Sequence, residues 1–275
     1  QPPVGGKESG MIESFLSVGT QVLILFLMIG TGFVLGKLHL ITHKGAVSMS
    51  NLLMYVVSPC ILIVVFQRPL ETETFHNFWV ALLAALVIHG INILVSELVI
   101  RDRDPMRKSF FRFSAIFSNC GFMGYPIILA INPDWMIYAV AYNVAYLLVS
   151  WTVGVSLFQG RQNVSLKRML LNPNVIAAFL GFAVFCLNIT LPDILSQTMS
   201  LIMLLIGTRI SGIRLSELRD KDYHITAALR LIVLPLMLYI LLLPLHLDPA
   251  VWSTLYLLTA MPCGTLSAMQ AELYG

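Results

Sequence analysis

The stretch FSNCGFMGYP at residues 117–126 interrupts a long apolar segment near its middle. It contains an asparagine, two glycines and a proline, none of which a membrane-spanning helix needs at its centre. Proline removes an amide donor and clashes with the preceding turn, and glycine adopts dihedral angles that other residues avoid. Backbone groups freed within lipid must be satisfied by protein or by a water-filled cavity. The stretch therefore predicts a broken helix that faces an internal polar cavity.

A second break, MPCGT at residues 261–265, interrupts the last apolar segment. Both breaks fall in the fourth apolar segment of their half of the chain, and such matched interruptions are the best sequence indication of a transporter's binding site. A kinked helix with small residues that let neighbours approach is the alternative. We predict that the two breaks meet midway through the membrane, and that a substrate site there includes Ser118, Asn119, Cys120, Gly121, Pro262, Cys263 and Gly264.

Other polar or helix-breaking residues within apolar segments extend this candidate site. Ser58 offers a hydroxyl beside Pro59, although a simple kink at that proline is an equal alternative. Tyr142 and Asn143 either line the same cavity or form hydrogen bonds between helices. His89 lies near the centre of its segment. It is either a proton relay or a neutral group that is bonded to a neighbouring helix. The predicted hinges of the crossover are Pro59, Gly124, Pro126 and Pro262.

Composition indicates an integral membrane protein. Of the 275 residues, 57% are hydrophobic and 11% charged, whereas a soluble domain carries about 25% charged residues. The net charge of +3 and the lack of a basic stripe disfavour nucleic-acid binding, so the lipid bilayer is the expected partner. No catalytic, metal or cofactor motif is present, so neither an enzyme nor a cofactor is expected. Apolar segments long enough to span a bilayer lie at 14–37, 45–67, 75–100, 106–131, 135–159, 173–190, 196–213, 222–245 and 250–273.

Positive charges set the expected orientation. Twelve Lys and Arg residues lie in or beside the connections after the odd-numbered segments, and Arg68 alone lies in the others. By the positive-inside rule, we expect a multi-pass plasma-membrane protein with its N-terminus outside. Arginines within segments are expected to extend towards the cytoplasmic face, and Glu97 to pair with Arg101 four residues later. These arginines are Arg112, Arg209 and Arg230.

The chain divides at residues 160–172, a predicted cytoplasmic connection. Residues 11–159 form a predicted first repeat of five helices, and residues 173–275 a second repeat with four visible helices. Because five is odd, the second repeat would enter the membrane in the opposite orientation. The register of the breaks then places a tenth helix after Gly275, outside this sequence. Residues 1–10 differ in composition and are expected to be a remnant added ahead of Met11.

The run NCGFMGYP at residues 119–126 resembles the fourth-helix crossover of the auxin efflux carrier (AEC) family. That family includes bacterial permeases annotated for organic acids and the plant PIN-formed auxin exporters. The Asn, Met, Gly and Pro of the run match the plant pattern. Residues 260–262 with 274–275 resemble the ninth helix, residues 51–59 the second, and residues 171–174 the start of the sixth. The lack of a long cytoplasmic loop favours a compact bacterial member.

The resemblance implies an all-α fold of two inverted five-helix repeats, with helices four and nine broken and crossed as in sodium/proton antiporters. It implies that Asn119 contacts substrate, that Pro262 marks the second crossover, and that a transport domain moves against a scaffold in a homodimer. Ser118 stands where plant members have a proline.

We expect a secondary transporter that exports a small organic anion, auxin-like or a dicarboxylate. Helix N-termini at the breaks would supply positive partial charge for a carboxylate. A membrane sensor that binds a ligand without moving it is the alternative.

Overall fold

The computed structural model describes residues 58–66, 71–160, 170–187 and 221–264, with isolated positions elsewhere before residue 168. Within these ranges the chain is helical, and its only extended pairing is a single bridge. The expectation of an all-α protein is therefore confirmed for the described part. The helices are α1 Ser58–Val65, α2 Thr72–Val99, α3 Pro105–Ile116, α4 Tyr125–Ile131, α5 Met136–Val149, α6 Val155–Gln159, α7 Pro173–Cys186, α8 Lys221–Ala228, α9 Leu234–Leu242 and α10 Pro249–Ala260.

Short π-helical turns join several of these helices into longer rods. They precede α4, link α5 to α6, and link α8 to α9, at Cys120–Gly124, Ser150–Gly154 and Leu229–Val233. Among the described residues, three rods are long and apolar enough to cross a membrane, namely Thr72–Val99, Pro133–Gln159 and Lys221–Leu245. They correspond to the predicted segments 75–100, 135–159 and 222–245. The predicted segment 196–213, residues 1–10 and Arg209 lie outside the described residues, and only isolated positions of the predicted segment 14–37 are described.

Three helices begin with the same local signal, an Asp or Asn followed by proline. The side chains of Asp104, Asn172 and Asp248 each accept a hydrogen bond from the backbone N–H two residues later, at 2.8–2.9 Å. The following prolines occupy the first helical turn of α3, α7 and α10. A side-chain acceptor satisfies one free amide, and proline has no amide to satisfy. These starts are therefore fixed by local sequence.

Helix α2 buries three polar residues beside the apolar residues of its inner face, while large apolar residues on its other side are exposed. His89, Asn92 and Ser96 are fully buried, whereas Leu83 and Val87 are about 60% exposed. This arrangement reverses that of a soluble protein, in which leucine and valine fill the interior. It suits a helix whose exposed side faces lipid tails and whose polar groups face protein.

Ion pairs join helix ends near the loop at residues 100–104. The guanidinium of Arg107 lies 3.1 Å from the carboxylate of Asp102 and 2.9 Å from that of Asp222, which connects the starts of α3 and α8. The backbone N–H of Asp104 and the guanidinium of Arg107 lower the pKa of Asp102. The expected pairing of Glu97 with Arg101 is wrong. Glu97 lies 3.8 Å from Arg112 on α3, since Arg101 donates to the carbonyl of Leu98.

Helices α1 and α7 approach closely at Gly181. A Cβ at this position would lie 2.6 Å from Cδ2 of Phe66, 3.0 Å from the carbonyl oxygen of Leu62 and 3.2 Å from Cα of Ile63. Two of these three neighbours are backbone atoms, which cannot turn away as a flexible side chain can. The contact between α1 and α7 therefore requires a residue without a side chain.

We predict that Gly181→Ala lowers the stability of the protein by about 1–3 kcal/mol, because the added methyl overpacks the contact. Gly90→Ala is the matched control, since a Cβ at Gly90 has no atom within 4 Å. That variant should be as stable as the parent or gain up to about 1 kcal/mol. Thermal unfolding of the purified protein in detergent measures both. An unchanged midpoint for Gly181→Ala would contradict the close approach.

Candidate functional site

The two predicted breaks lie side by side, and their main chains pair. Helix α3 ends at Ile116 and Phe117 is extended, while α10 ends at Ala260 and Met261 is extended. The N–H of Asn119 donates to the carbonyl of Pro262 at 2.8 Å, and the N–H of Gly264 donates to the carbonyl of Phe117 at 3.3 Å. Ser118 and Cys263 face each other across this antiparallel bridge. Each break thus satisfies backbone groups that the other leaves free.

The chain resumes its helix immediately after the first break. The carbonyl of Asn119 accepts from the N–H groups of Met123 at 3.2 Å and Gly124 at 3.1 Å, which forms a π-turn. Such turns occur frequently at functional sites. A Cβ at Gly124 would collide with Cδ2 of Leu258 on α10, so this glycine lets the resumed helix pass close to its partner. Pro126 lies in the first turn of α4, directly after the π-turn.

Arg230 lies at the centre of the crossover and is the main departure from expectation. It was expected to extend towards the cytoplasm, but its side chain is 1% exposed. Its Nε donates to the carbonyl of Met261 at 3.1 Å, Nη1 to that of Ala115 at 3.1 Å, and Nη2 to that of Thr259 at 2.8 Å. The guanidinium therefore caps α3 and α10 at once.

Arg230 is bound at the crossover because α3 and α10 both end there, inside the protein, with carbonyl groups that need donors. The last carbonyls of a helix have no intrahelical donor, and each C-terminus carries about half a negative charge. A guanidinium offers five N–H donors in a rigid plane, so one arginine serves both ends. From the sequence, only helix N-termini were expected at the breaks. The C-termini of α3 and α10 also lie at the breaks, and the positive charge of Arg230 neutralises their partial negative charges.

Tyr142 and Asn143 of α5 lie against the crossover. The hydroxyl of Tyr142 is 3.5 Å from Oγ of Ser118 and 3.4 Å from Oγ1 of Thr259, so it bridges the two broken helices. The thiol of Cys120 donates to Oδ1 of Asn143 at 3.6 Å. Both residues that sequence placed at this site are therefore near it, and both bond between helices.

Asn119 and Gly121 border open space at the break. The Asn119 side chain is partly exposed and makes no capping bond to the helix that follows. A Cβ at Gly121 would meet no atom within 4 Å. At the second break, a Cβ at Gly264 would lie 3.4 Å from the carbonyl oxygen of Ser118 and 3.6 Å from the hydroxyl of Tyr146. Space for at least a methyl group therefore adjoins Gly121 at the first break, whereas Gly264 at the second break is in ordinary van der Waals contact with its neighbours.

Helix α2 contributes two polar groups to the region. Asn92 donates through Nδ2 to the carbonyl of Ile116 at 3.3 Å, which adds a second cap to the end of α3. His89 Nδ1 lies 2.7 Å from the carbonyl oxygen of Ala85. A carbonyl only accepts, so Nδ1 carries the proton and Nε2 is an acceptor. That Nε2 is buried with no partner among the described residues, and the ring lies 5.2 Å from that of Tyr142.

Ser58 and Pro59 have a different setting from the other predicted site residues. They begin α1, whose main packing partner is α7 at the Gly181 contact. Their predicted roles in binding and as a hinge stay predictions.

The sequence of this chain matches a known protein family. The profile of the membrane transport protein family matches residues 17–169 and 162–275, which together cover nearly the whole chain. The chain belongs to this family, that of the auxin efflux carriers. The resemblance noted at residues 119–126 is therefore confirmed, and the family implies a membrane transporter. A search of curated proteins gives no significant match.

Sequence reasoning missed Arg230, Asn92 and Thr259 as parts of the crossover. The sequence did contain one indication of Arg230, because an arginine within a strongly apolar segment is by default a candidate functional residue. Nothing local distinguishes an arginine that extends to the membrane surface from one that turns inward. Its contacts lie on helices 29 to 115 residues away in sequence.

The two crossover cysteines differ in exposure, which predicts their reactivity. Cys263 is exposed, whereas Cys120 is 1% exposed and its thiol is bonded to Asn143. N-ethylmaleimide should alkylate Cys263 in the folded protein and leave Cys120 unmodified, since a buried structural thiol is inert. Peptide mass spectrometry measures both sites.

Exposed Cys186 at the end of α7 serves as the positive control. Denatured protein should react at all four cysteines. Equal modification of Cys120 and Cys263 in the folded state would contradict the observed packing.

Proposed function

We propose that this protein is a secondary transporter that moves a small organic anion across the cell membrane, with its substrate site beside the crossover of the two broken helices. Asn119 contacts the substrate, and the neighbouring backbone at Gly121 provides space and amides. Ser118, Cys120, Pro262, Cys263 and Gly264 complete the site, with Tyr142 and Asn143 behind it. Ser58 extends it from α1, and His89 is the candidate for proton transfer.

One observation carries the proposal. A guanidinium is buried where two broken helices cross, and no Asp or Glu of the described residues is buried with it. Burying a charge costs free energy unless it is paired, and here the partners are backbone carbonyls. Among the described residues, the region therefore has no negatively charged side chain to repel an anion. It also has helix N-terminal amides after Asn119 that suit one.

The broken helices also suit transport better than static binding. Main-chain pairing at Ser118 and Cys263 lets two half-helices meet inside the membrane without an exposed polar backbone, and such unwound points line transporter sites. We propose that the helices of the crossover move as one body past a scaffold that includes α1 and α7. In the full protein, residues 11–159 and 173–275 would form two inverted repeats.

Direction and setting are part of the same proposal. Export from the cell, across the plasma membrane and with the N-terminus outside, agrees with the distribution of Lys and Arg along the chain. Assembly as a homodimer follows the family expectation. No cofactor is needed for such movement, because the gradient or membrane potential supplies about 2.3 kcal/mol per elementary charge per 100 mV.

Replacement of Asn119 tests the site. We expect Asn119→Ala to abolish transport of organic anions in proteoliposomes, because the substrate loses the amide that orients it, while thermal stability stays unchanged. Stability should persist because the Asn119 side chain makes no capping bond. Flux of radiolabelled carboxylates and thermal unfolding are the two measurements.

Asn77→Ala is the matched control. Asn77 lies in the same fold at the start of α2, about 22 Å along that helix from Asn92, and its replacement should leave flux intact. Wild-type flux in Asn119→Ala would remove this residue from the site. Saturable binding with zero flux in the parent protein would instead indicate a sensor.

A further inference from the structure

We infer that a cavity at one end of the spanning helices binds the headgroup of a zwitterionic phospholipid that carries a primary ammonium group. The cavity lies between the end of α2, the loop that follows it, α3 and the start of α8. It is separate from the crossover, because Asp222 on its wall precedes Arg230 by about 12 Å along a helix. The inference therefore does not depend on which molecule the protein transports.

The position of the cavity points to lipid. Its volume of about 130 Å³ is several times the roughly 30 Å³ that one water molecule occupies. Val99 is the last residue of one spanning rod, and Ile225 lies near the start of another. Both line the cavity, and they are 46% and 49% exposed. Exposed apolar side chains at the end of a span face lipid, so the cavity lies where acyl chains meet headgroups.

The charged groups around the cavity have both signs. Arg101, Asp102 and Asp222 line it, and Arg107 pairs with the two carboxylates at 3.1 and 2.9 Å. A carboxylate has about four lone-pair sites, so one that binds Arg107 can still accept from a further donor. A simple anion in the cavity would lie beside two carboxylates, and a simple cation beside two arginines. A ligand with one charge of each sign suits this lining.

Arg101 supplies the donors for a phosphate. Its Nε donates to the carbonyl of Leu98 at 3.2 Å. Within the part of the chain that the structure describes, its terminal nitrogens Nη1 and Nη2 make no hydrogen bond. Guanidinium groups bind phosphate through two parallel N–H bonds. These two nitrogens therefore suit the phosphate of a lipid headgroup.

Thr226 is an independent indication that a ligand is bound in the cavity. This residue lines the cavity and is only 7% exposed, and its hydroxyl makes no hydrogen bond to any described residue. A threonine within a helix often bonds to the carbonyl four residues earlier, and a buried polar group without a bond costs free energy. A phosphate or ester oxygen of the ligand would accept a hydrogen bond from this hydroxyl.

A phospholipid with a primary ammonium group meets all of these conditions. Its phosphate binds Arg101 and Thr226, and its ammonium group binds Asp222. Its acyl chains continue over the exposed apolar residues beside the cavity. A primary ammonium group has three N–H donors for carboxylates, whereas the quaternary group of choline has none. We therefore expect phosphatidylethanolamine to bind more tightly than phosphatidylcholine.

The test titrates the delipidated full-length protein in detergent with lipids that have the same acyl chains. Phosphatidylethanolamine, its N-methyl and N,N-dimethyl derivatives and phosphatidylcholine form a series in which the N–H donors are removed one at a time. We expect affinity to fall along this series by about tenfold or more in total, because bonds to a charged group are lost. Native mass spectrometry measures the affinities. Thermal unfolding measures the stabilisation, which grows with the logarithm of lipid concentration.

Variants locate the binding in the cavity. Thr226→Val removes the hydroxyl and keeps the shape of the side chain, so it should weaken binding of phosphatidylethanolamine about threefold or more. Arg101→Gln and Asp222→Asn should each weaken it about tenfold, since each removes a charged partner. Arg103→Gln is the matched control, because Arg103 is exposed in the same loop and does not line the cavity. Its affinity for the lipid should equal that of the parent.

Weaker binding in Thr226→Val and Arg101→Gln, with a parent-like Arg103→Gln, supports the site. Equal affinities of the parent protein for phosphatidylethanolamine and phosphatidylcholine overturn the inference. So does a preference that persists in both cavity variants, since the lipid then binds elsewhere. If Asp222→Asn fails to fold after losing its pair with Arg107, Thr226→Val decides, because it leaves that ion pair intact.

A soluble headgroup separates the lipid from a free zwitterion of the same chemistry. Glycerophosphoethanolamine has the phosphate and the ammonium group but no acyl chains, so it should bind at least about tenfold more weakly than the lipid. Equal affinity would identify a soluble ligand and would overturn the assignment of this cavity to the bilayer.

Discussion

The capping of two helix ends by one buried guanidinium is the interaction on which the rest of this structure depends. A helix broken inside a membrane leaves carbonyls that lipid cannot satisfy. Here the donors are Arg230 for both broken helices and Asn92 for the end of α3. The remaining backbone groups at the breaks satisfy each other through the bridge at Ser118 and Cys263. Without these donors, continuous helices would be the more stable arrangement in lipid.

Polar contacts and aromatic contacts lie in different parts of the described helices. Tyr142 connects α5 to both broken helices, and Arg107 connects the starts of α3 and α8. These contacts connect the crossover helices to one another. In contrast, α1 and α7 pack against each other and against the start of α2 through aromatic rings, with Phe66, Phe78 and Phe182 in mutual contact.

The sequence predicted the breaks and their meeting because the signal is local. Proline, glycine and asparagine within residues 117–126 and 261–265 cannot continue a helix without cost, and matched positions in two halves indicate contact. The roles of Tyr142 and Asn143 remained open, since a polar residue in a span can line a cavity or bond to a neighbour. In the structure, Tyr142 bonds to Ser118 and Thr259, and Asn143 bonds to Cys120, so both residues form hydrogen bonds at the crossover.

Arg230 could not be placed from sequence, because its position depends on where α3 and α10 end in space. The default of extending towards the membrane surface holds only when no internal acceptor competes. For the same reason Glu97 paired with Arg112 on another helix rather than with Arg101 on its own. The partners of long charged side chains depend on the tertiary structure, so the spacing of residues along one helix is a weak guide to these partners.

The bridge between the two breaks is made by main-chain atoms, and this has a consequence for how such proteins diversify. The N–H of Asn119 and the carbonyl of Pro262 are present whatever side chains occupy Ser118 and Cys263. Natural variation can therefore replace the lining residues one at a time while the main-chain bridge between the two helices stays unchanged. A single ancestral scaffold can in this way give rise to relatives with different cargo.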